Sequence, residues 1–147
     1  MLSVIIRYII STVICAFFIT ISATQVVLSN LANFDLPPVT FSQRMDATIH
    51  DLINFGPIIL IIVALAYLIG FLVAWLLAKV CLSNSTWGYI AGLTSVPSAI
   101  YLANSFAGID VIYITQHTSG WFALITGSVL GSMVFYHKRV SQEANTQ

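Results

Sequence analysis

Four long apolar runs dominate this chain, at about 8–28, 57–80, 88–107 and 121–136. The only charge any of them holds is Lys79, at the far end of the second. Helices that are apolar all round need cover on every side, and a single soluble core built from 147 residues cannot supply it four times over. Apolar residues make up 59% of the chain and charged residues 7%, whereas a soluble domain carries about 25% charged residues. Lipid is therefore the expected cover. A helix rises 1.5 Å per residue, so the helices predicted at about 5–29, 57–81, 87–107 and 119–138 each match a hydrocarbon core of about 30 Å. The fourth is the weakest, diluted by Thr126, Gly127, Ser128, Gly131 and Ser132, and neighbouring helices are expected to assist its insertion.

The predicted fold class is all-α. It is a polytopic membrane protein with four transmembrane helices in an up-down bundle and a short amphipathic helix in the first outer loop, all in one integral membrane domain, 1–147. Basic residues set the threading. With the N-terminus in the cytoplasm, Arg7, Lys79, Lys138 and Arg139 lie inside and only Arg44 outside, the bias of the positive-inside rule. The acids mirror this: Asp35, Asp46, Asp51 and Asp110 fall outside and Glu143 inside. The formal net charge of zero hides opposite polarities, and nothing in it points to nucleic acid. Short loops and a compact chain suggest a bacterial inner membrane, with both termini cytoplasmic. Arg7, the apolar stretch after it and Ser22, Ala23 and Thr24 also loosely resemble a cleavable signal peptide, an alternative that would leave three spans in the same orientation.

The sizeable loop at 30–56 has its own pattern. Pro37 and Pro38 enforce extended chain, and Thr40 followed three residues later by Gln43 reads as a capping box. On a helical wheel Phe41, Met45, Ile49, Leu52 and Ile53 share one face, with Arg44, Asp46, His50, Asp51 and Asn54 opposite. This predicts an amphipathic helix at about 41–54, its apolar face against lipid or the other helices. Gly56 and Pro57 then launch the second span.

Small residues recur every four positions: Ala66, Gly70, Ala74 and Ala78; Gly88 and Gly92; Ala123, Gly127 and Gly131. In lipid, helices gain little by hiding apolar side chains from water, so close backbone approach and interhelical hydrogen bonds drive association. These stripes predict tight packing within the chain, between copies, or both. Thr94, Ser98, Tyr101 and Ser105, with Asn104 beside them, form a hydroxyl stripe on the third span, and Ser11, Cys15 and Ser22 form another on the first. Both are expected to point inward, so Thr94, Ser98, Tyr101 and Asn104 make a candidate polar path. Pro97 should kink the third span, with Ser95 or Ser98 satisfying the backbone carbonyl it frees.

Chemistry-bearing signals are sparse. No titratable carboxylate, amine or imidazole falls at mid-membrane depth, which weighs against proton coupling. Cys15 and Cys81 lie at different depths, too far apart for a disulfide. Outside the membrane, Asp46 and His50 at i, i+4, followed by Asp51, face the predicted loop that carries Asp110 and His117. Asp46, His50 and His117 are thus candidate ligands for a divalent ion such as zinc, or a pH-sensing histidine pair. No nucleophile elbow or phosphate loop is present, and no cofactor is implied. The expected role is non-enzymatic: a small membrane scaffold or accessory subunit whose partners are the bilayer and either itself or another membrane protein. A small oligomeric channel with a path along the third span is the alternative, and an outer-face metal or pH sensor a further one.

Overall fold

The computed structural model describes residues 2–31, 39–80, 86–107 and 113–144. Side chains are described within these ranges except at 78, 80, 86–88, 106–107, 113–114 and 137–144. All regular elements among the described residues are helical: α1 (Leu2–Leu31), α2 (Phe41–Asn54), α3 (Gly56–Val80), α4 (Thr86–Ala107), a 3₁₀ turn at Tyr113–Gln116, and α5 (Thr118–Ala144). Three stretches are long and apolar enough to cross a membrane: all of α1, residues 56–77 of α3 and residues 118–136 of α5. α4 runs 22 residues, is diluted by Thr94, Ser95, Ser98, Asn104 and Ser105, and is not among the three.

α1 packs most extensively on α5, and further contacts of α1 with α3, α3 with α4 and α4 with α5 close the helices into a ring. The centre is filled by Ile19, Val63, Val96, Ile100 and Leu124, with Tyr67 fully buried among them. From α3, Tyr67 reaches across the ring and donates its hydroxyl to the Ser128 carbonyl of α5 at 2.9 Å. Below it the rings of Phe71 and Phe135 stack with centroids 4.3 Å apart, and Tyr136 meets Phe71 edge-on.

Four glycines sit where backbones approach. A Cβ on Gly70 would lie 2.6 Å from the Ser95 Cβ of α4, and one on Gly127 2.9 Å from Ile19 of α1. One on Gly92 would collide with the Ser132 side chain of α5, and one on Gly131 with the Tyr67 hydroxyl, the Ser11 carbonyl and Cys15. Ala66 and Ala74 are buried and Ala123 is half-buried. The side chain of Ala78 lies outside the described set, as does the surrounding of Gly88.

α2 begins as its sequence dictates. The Thr40 hydroxyl accepts from the Gln43 N–H, and the Gln43 side chain accepts from the Thr40 N–H at 2.9 Å. α2 then passes almost without interruption into α3, because the Phe55 N–H donates to the Asp51 carbonyl and the Ile59 N–H to the Phe55 carbonyl.

Three expectations need correction. The helix ends differ: α1 starts at Leu2 rather than about residue 5, and α5 continues past about 138 to Ala144, where Gln142, Glu143 and Ala144 are good helix formers. The turn before α5 holds a 3₁₀ segment that no sequence signal announced, tied down where the Trp121 indole donates to the Thr115 carbonyl at 3.0 Å. Finally, α4 is helical through Pro97, but Ser95 donates to the Gly92 carbonyl at 3.2 Å. The carbonyl that Pro97 deprives of its donor belongs to Leu93, so Ser95 serves the neighbouring one.

Candidate functional site

Hydroxyl groups occur on both sides of the ring. Ser11, Thr12, Thr20 and Thr24 of α1 and Ser128 and Ser132 of α5 are buried. Most satisfy themselves locally. Thr12 donates to the Tyr8 carbonyl, Thr20 to Ala16 and Ser128 to Leu124, each at 2.8 Å, the one-turn back-bond open to a helical hydroxyl. The Ser11 hydroxyl is buried with no partner. The Cys15 thiol beside it is within hydrogen-bonding reach of the Tyr67 and Ser128 side chains.

The stripe on α4 faces the other way, which corrects the expected inward path. Thr94 and Ser98 are exposed, Tyr101 is 61% exposed, and Asn104 is half-buried. Thr94 donates to the Ile90 carbonyl and Ser105 to the Tyr101 carbonyl, both at 2.9 Å, so neither needs an interior partner. Asn104 donates to the Thr115 hydroxyl at 3.0 Å and ties the end of α4 to the 3₁₀ turn. Among the described residues, apolar packing fills the centre of the ring. Thr94 and Ser98 line an open groove instead. Where Gly70 and Ser95 bring α3 and α4 together, a groove of about 420 Å³ runs beside the crossing, lined by Ala66, Gly70, Ala91, Thr94, Ser95 and Ser98 among others. Sharing Ser98 and Leu102, a second groove of about 440 Å³ continues past Pro97 and Tyr101 to Trp121. Small side chains and hydroxyls at its base let another backbone approach and offer it acceptors.

The polar residues of α2 find their described partners on α1. Asp51 accepts a hydrogen bond from the Thr24 hydroxyl of α1 at 2.8 Å, and Arg44 donates to the Gln25 side chain at 3.1 Å. Gln25 in turn donates to the Thr48 hydroxyl at 3.1 Å. The polar face of α2 is thus fastened to the end of α1, while Phe41, Met45, Ile49 and Ile53 stand exposed on the other side. The His50 imidazole lies 3.5 Å from Asp51 and is largely exposed. α2, with Asp46 and His50, packs on α1 and α3, whereas the 3₁₀ turn before His117 packs on α5 and α1. Among the described residues no three histidine, cysteine or acidic side chains gather to hold a metal ion. Asp110 and Cys81 lie outside the described residues.

The α2 fastening was partly foreseeable, since Thr24 and Gln25 are the polar pair at the end of an otherwise apolar run. The groove was foreseeable only as a small-residue stripe. Compared with protein families, curated proteins and solved structures, the chain matches none.

Proposed function

We propose that this chain is a four-span, up-down membrane protein with no catalytic role. It acts as a scaffold or accessory subunit by docking a further transmembrane helix, from a second copy or another membrane protein, into the α3–α4 groove. The carrying observation is that this groove combines small residues with the Thr94 and Ser98 hydroxyls and lies open on the outside of the ring. Support for the fourth span is the length of α4, which at 22 residues extends about 33 Å. Support for the threading is that Arg7 shares one groove with Tyr89 at the start of α4 and with Met133 and Val134 late in α5, whereas Arg44 and Asp51 are fastened to the opposite end of α1. With that first end in the cytoplasm of a bacterial inner membrane, the basic residues obey the positive-inside rule.

The test is disulfide crosslinking in native membranes from single cysteines at Thr94, Ser98 and Tyr101, in a chain with Cys15 and Cys81 replaced by serine. Crosslinks from these positions, with none from Leu68 or Leu72, which line a different groove beside α1, are expected. A strictly monomeric chain that crosslinks to nothing from the α4 face refutes the reading. A second reading, an oligomeric channel, draws on the continuity of the two grooves along Thr94, Ser98 and Tyr101. It requires copies to turn these faces toward a common axis and predicts that thiols placed there react with water-soluble reagents in the assembled state.

A further inference from the structure

At the end of the ring opposite α2, α1 and α4 flank α5 around an open groove of about 890 Å³, lined by Ser3, Ile6, Arg7, Ile10, Tyr89, Met133 and Val134. Its lining is apolar except at one rim, where Arg7 stands with Ser3 and Tyr89. Arg7 is half-buried, and no described side chain pairs with it by hydrogen bond or ion pair. We propose that this groove is a binding site for an anionic glycerophospholipid, with the phosphate on the Arg7 guanidinium and the upper acyl chain along Ile6, Ile10 and Met133.

Three observations meet here. A guanidinium presents a planar fork of donors that matches a phosphate, and a cation beside apolar side chains gains most from an anion that carries its own hydrocarbon. α1 is 30 residues long, about 45 Å, against a core of about 30 Å. Arg7, the sixth residue of that helix, falls at the depth where phosphates begin when the helix is centred on the core. The α5 backbone continues past Val134, and the sequence of its next turns carries Lys138 and Arg139. Lipid is favoured over a protein partner because the complementary charge and the complementary oil belong to one molecule already present at that depth.

The inference rests on the membrane-spanning reading, whose failure would show separately as release of the chain by alkaline carbonate. The test is native mass spectrometry of the full chain ejected from vesicles of mixed phosphatidylglycerol and phosphatidylcholine, for the native protein, Arg7→Gln and Arg7→Lys. Both lipids carry the phosphate, but phosphatidylcholine sets a trimethylammonium beside it and is net neutral, so the native chain should retain phosphatidylglycerol over phosphatidylcholine by about tenfold. Arg7→Gln should abolish the preference and Arg7→Lys keep part of it, so a glutamine variant that fails to fold leaves the lysine one to decide. Equal retention of both lipids by the native chain, or an unchanged preference in Arg7→Gln, overturns the proposal. So does displacement of the bound lipid by inorganic phosphate at millimolar concentration, which would reduce the site to a free-anion contact.

Discussion

The inner face of α1 and the outer face of α4 carry the same chemistry and meet opposite fates. Both present hydroxyls at one-turn spacing, yet Ser11, Thr12 and Thr20 are sealed in the core while Thr94 and Ser98 face outward. The difference lies in what stands opposite. α1 faces Gly127 and Gly131, which let α5 close over it, whereas on α4 Gly92 turns toward Ser132 and leaves Thr94 and Ser98 on the open side. A helical hydroxyl that bonds its own preceding turn has no strong preference for inside or outside. Backbone approach decides the facing, and the hydroxyl follows.

The largest expected effect comes from forcing the two faces to become alike. Gly131→Leu drives a side chain into Tyr67, Ser11 and Cys15, so a loss of about 3 kcal/mol or failure to accumulate is expected, read as thermal unfolding in detergent. Gly56→Ala is the control, since the nearest atom to its Cβ is the Asp51 carbonyl at 3.9 Å, and it should fold as the native chain does. A Gly131→Leu chain as stable as Gly56→Ala would mean that α1 and α5 do not close as described. Next, Tyr67→Phe removes the cross-ring bond to Ser128 and leaves that carbonyl with its helical partner, for an expected loss of about 1 kcal/mol.

How much of this was readable in the chain depends on the range over which each signal acts. The capping box of α2, the launch at Pro57 and the three most apolar helices are dictated by neighbouring residues, and the structure carries them. The facing of α4 is set by which helix Gly92 meets, a relation between it and Ser132 forty residues apart that no local pattern encodes. The same holds for the outer polar residues. Asp46, His50 and His117 were grouped by predicted side of the membrane, but the partners that Asp51, Thr48 and Arg44 find are on α1.

Smaller effects sharpen the contrast. Ser11→Ala deletes a buried hydroxyl without a partner and should leave stability unchanged or raise it by up to about 1 kcal/mol, measured as a shift in the unfolding midpoint. A clear loss would reveal a bond from Ser11 that matters. Least of all, Thr94→Val and Ser98→Ala should change unfolding by less than about 0.5 kcal/mol, because both sites are exposed. The same pair should weaken association in the crosslinking assay, so that fold and assembly respond to different hydroxyls.

The attachment of α2 has a mechanical corollary. Its polar side is moored to Thr24 and Gln25, its greasy ridge of Phe41, Met45, Ile49 and Ile53 floats free, and its last turn runs into α3 through Phe55. A buoy tied at once to two masts transmits vertical displacement to both. In the four-span reading proposed above, a thinner bilayer would lower the ridge and draw the ends of α1 and α3 with it, so this short helix would tie their tilt to the thickness of the membrane.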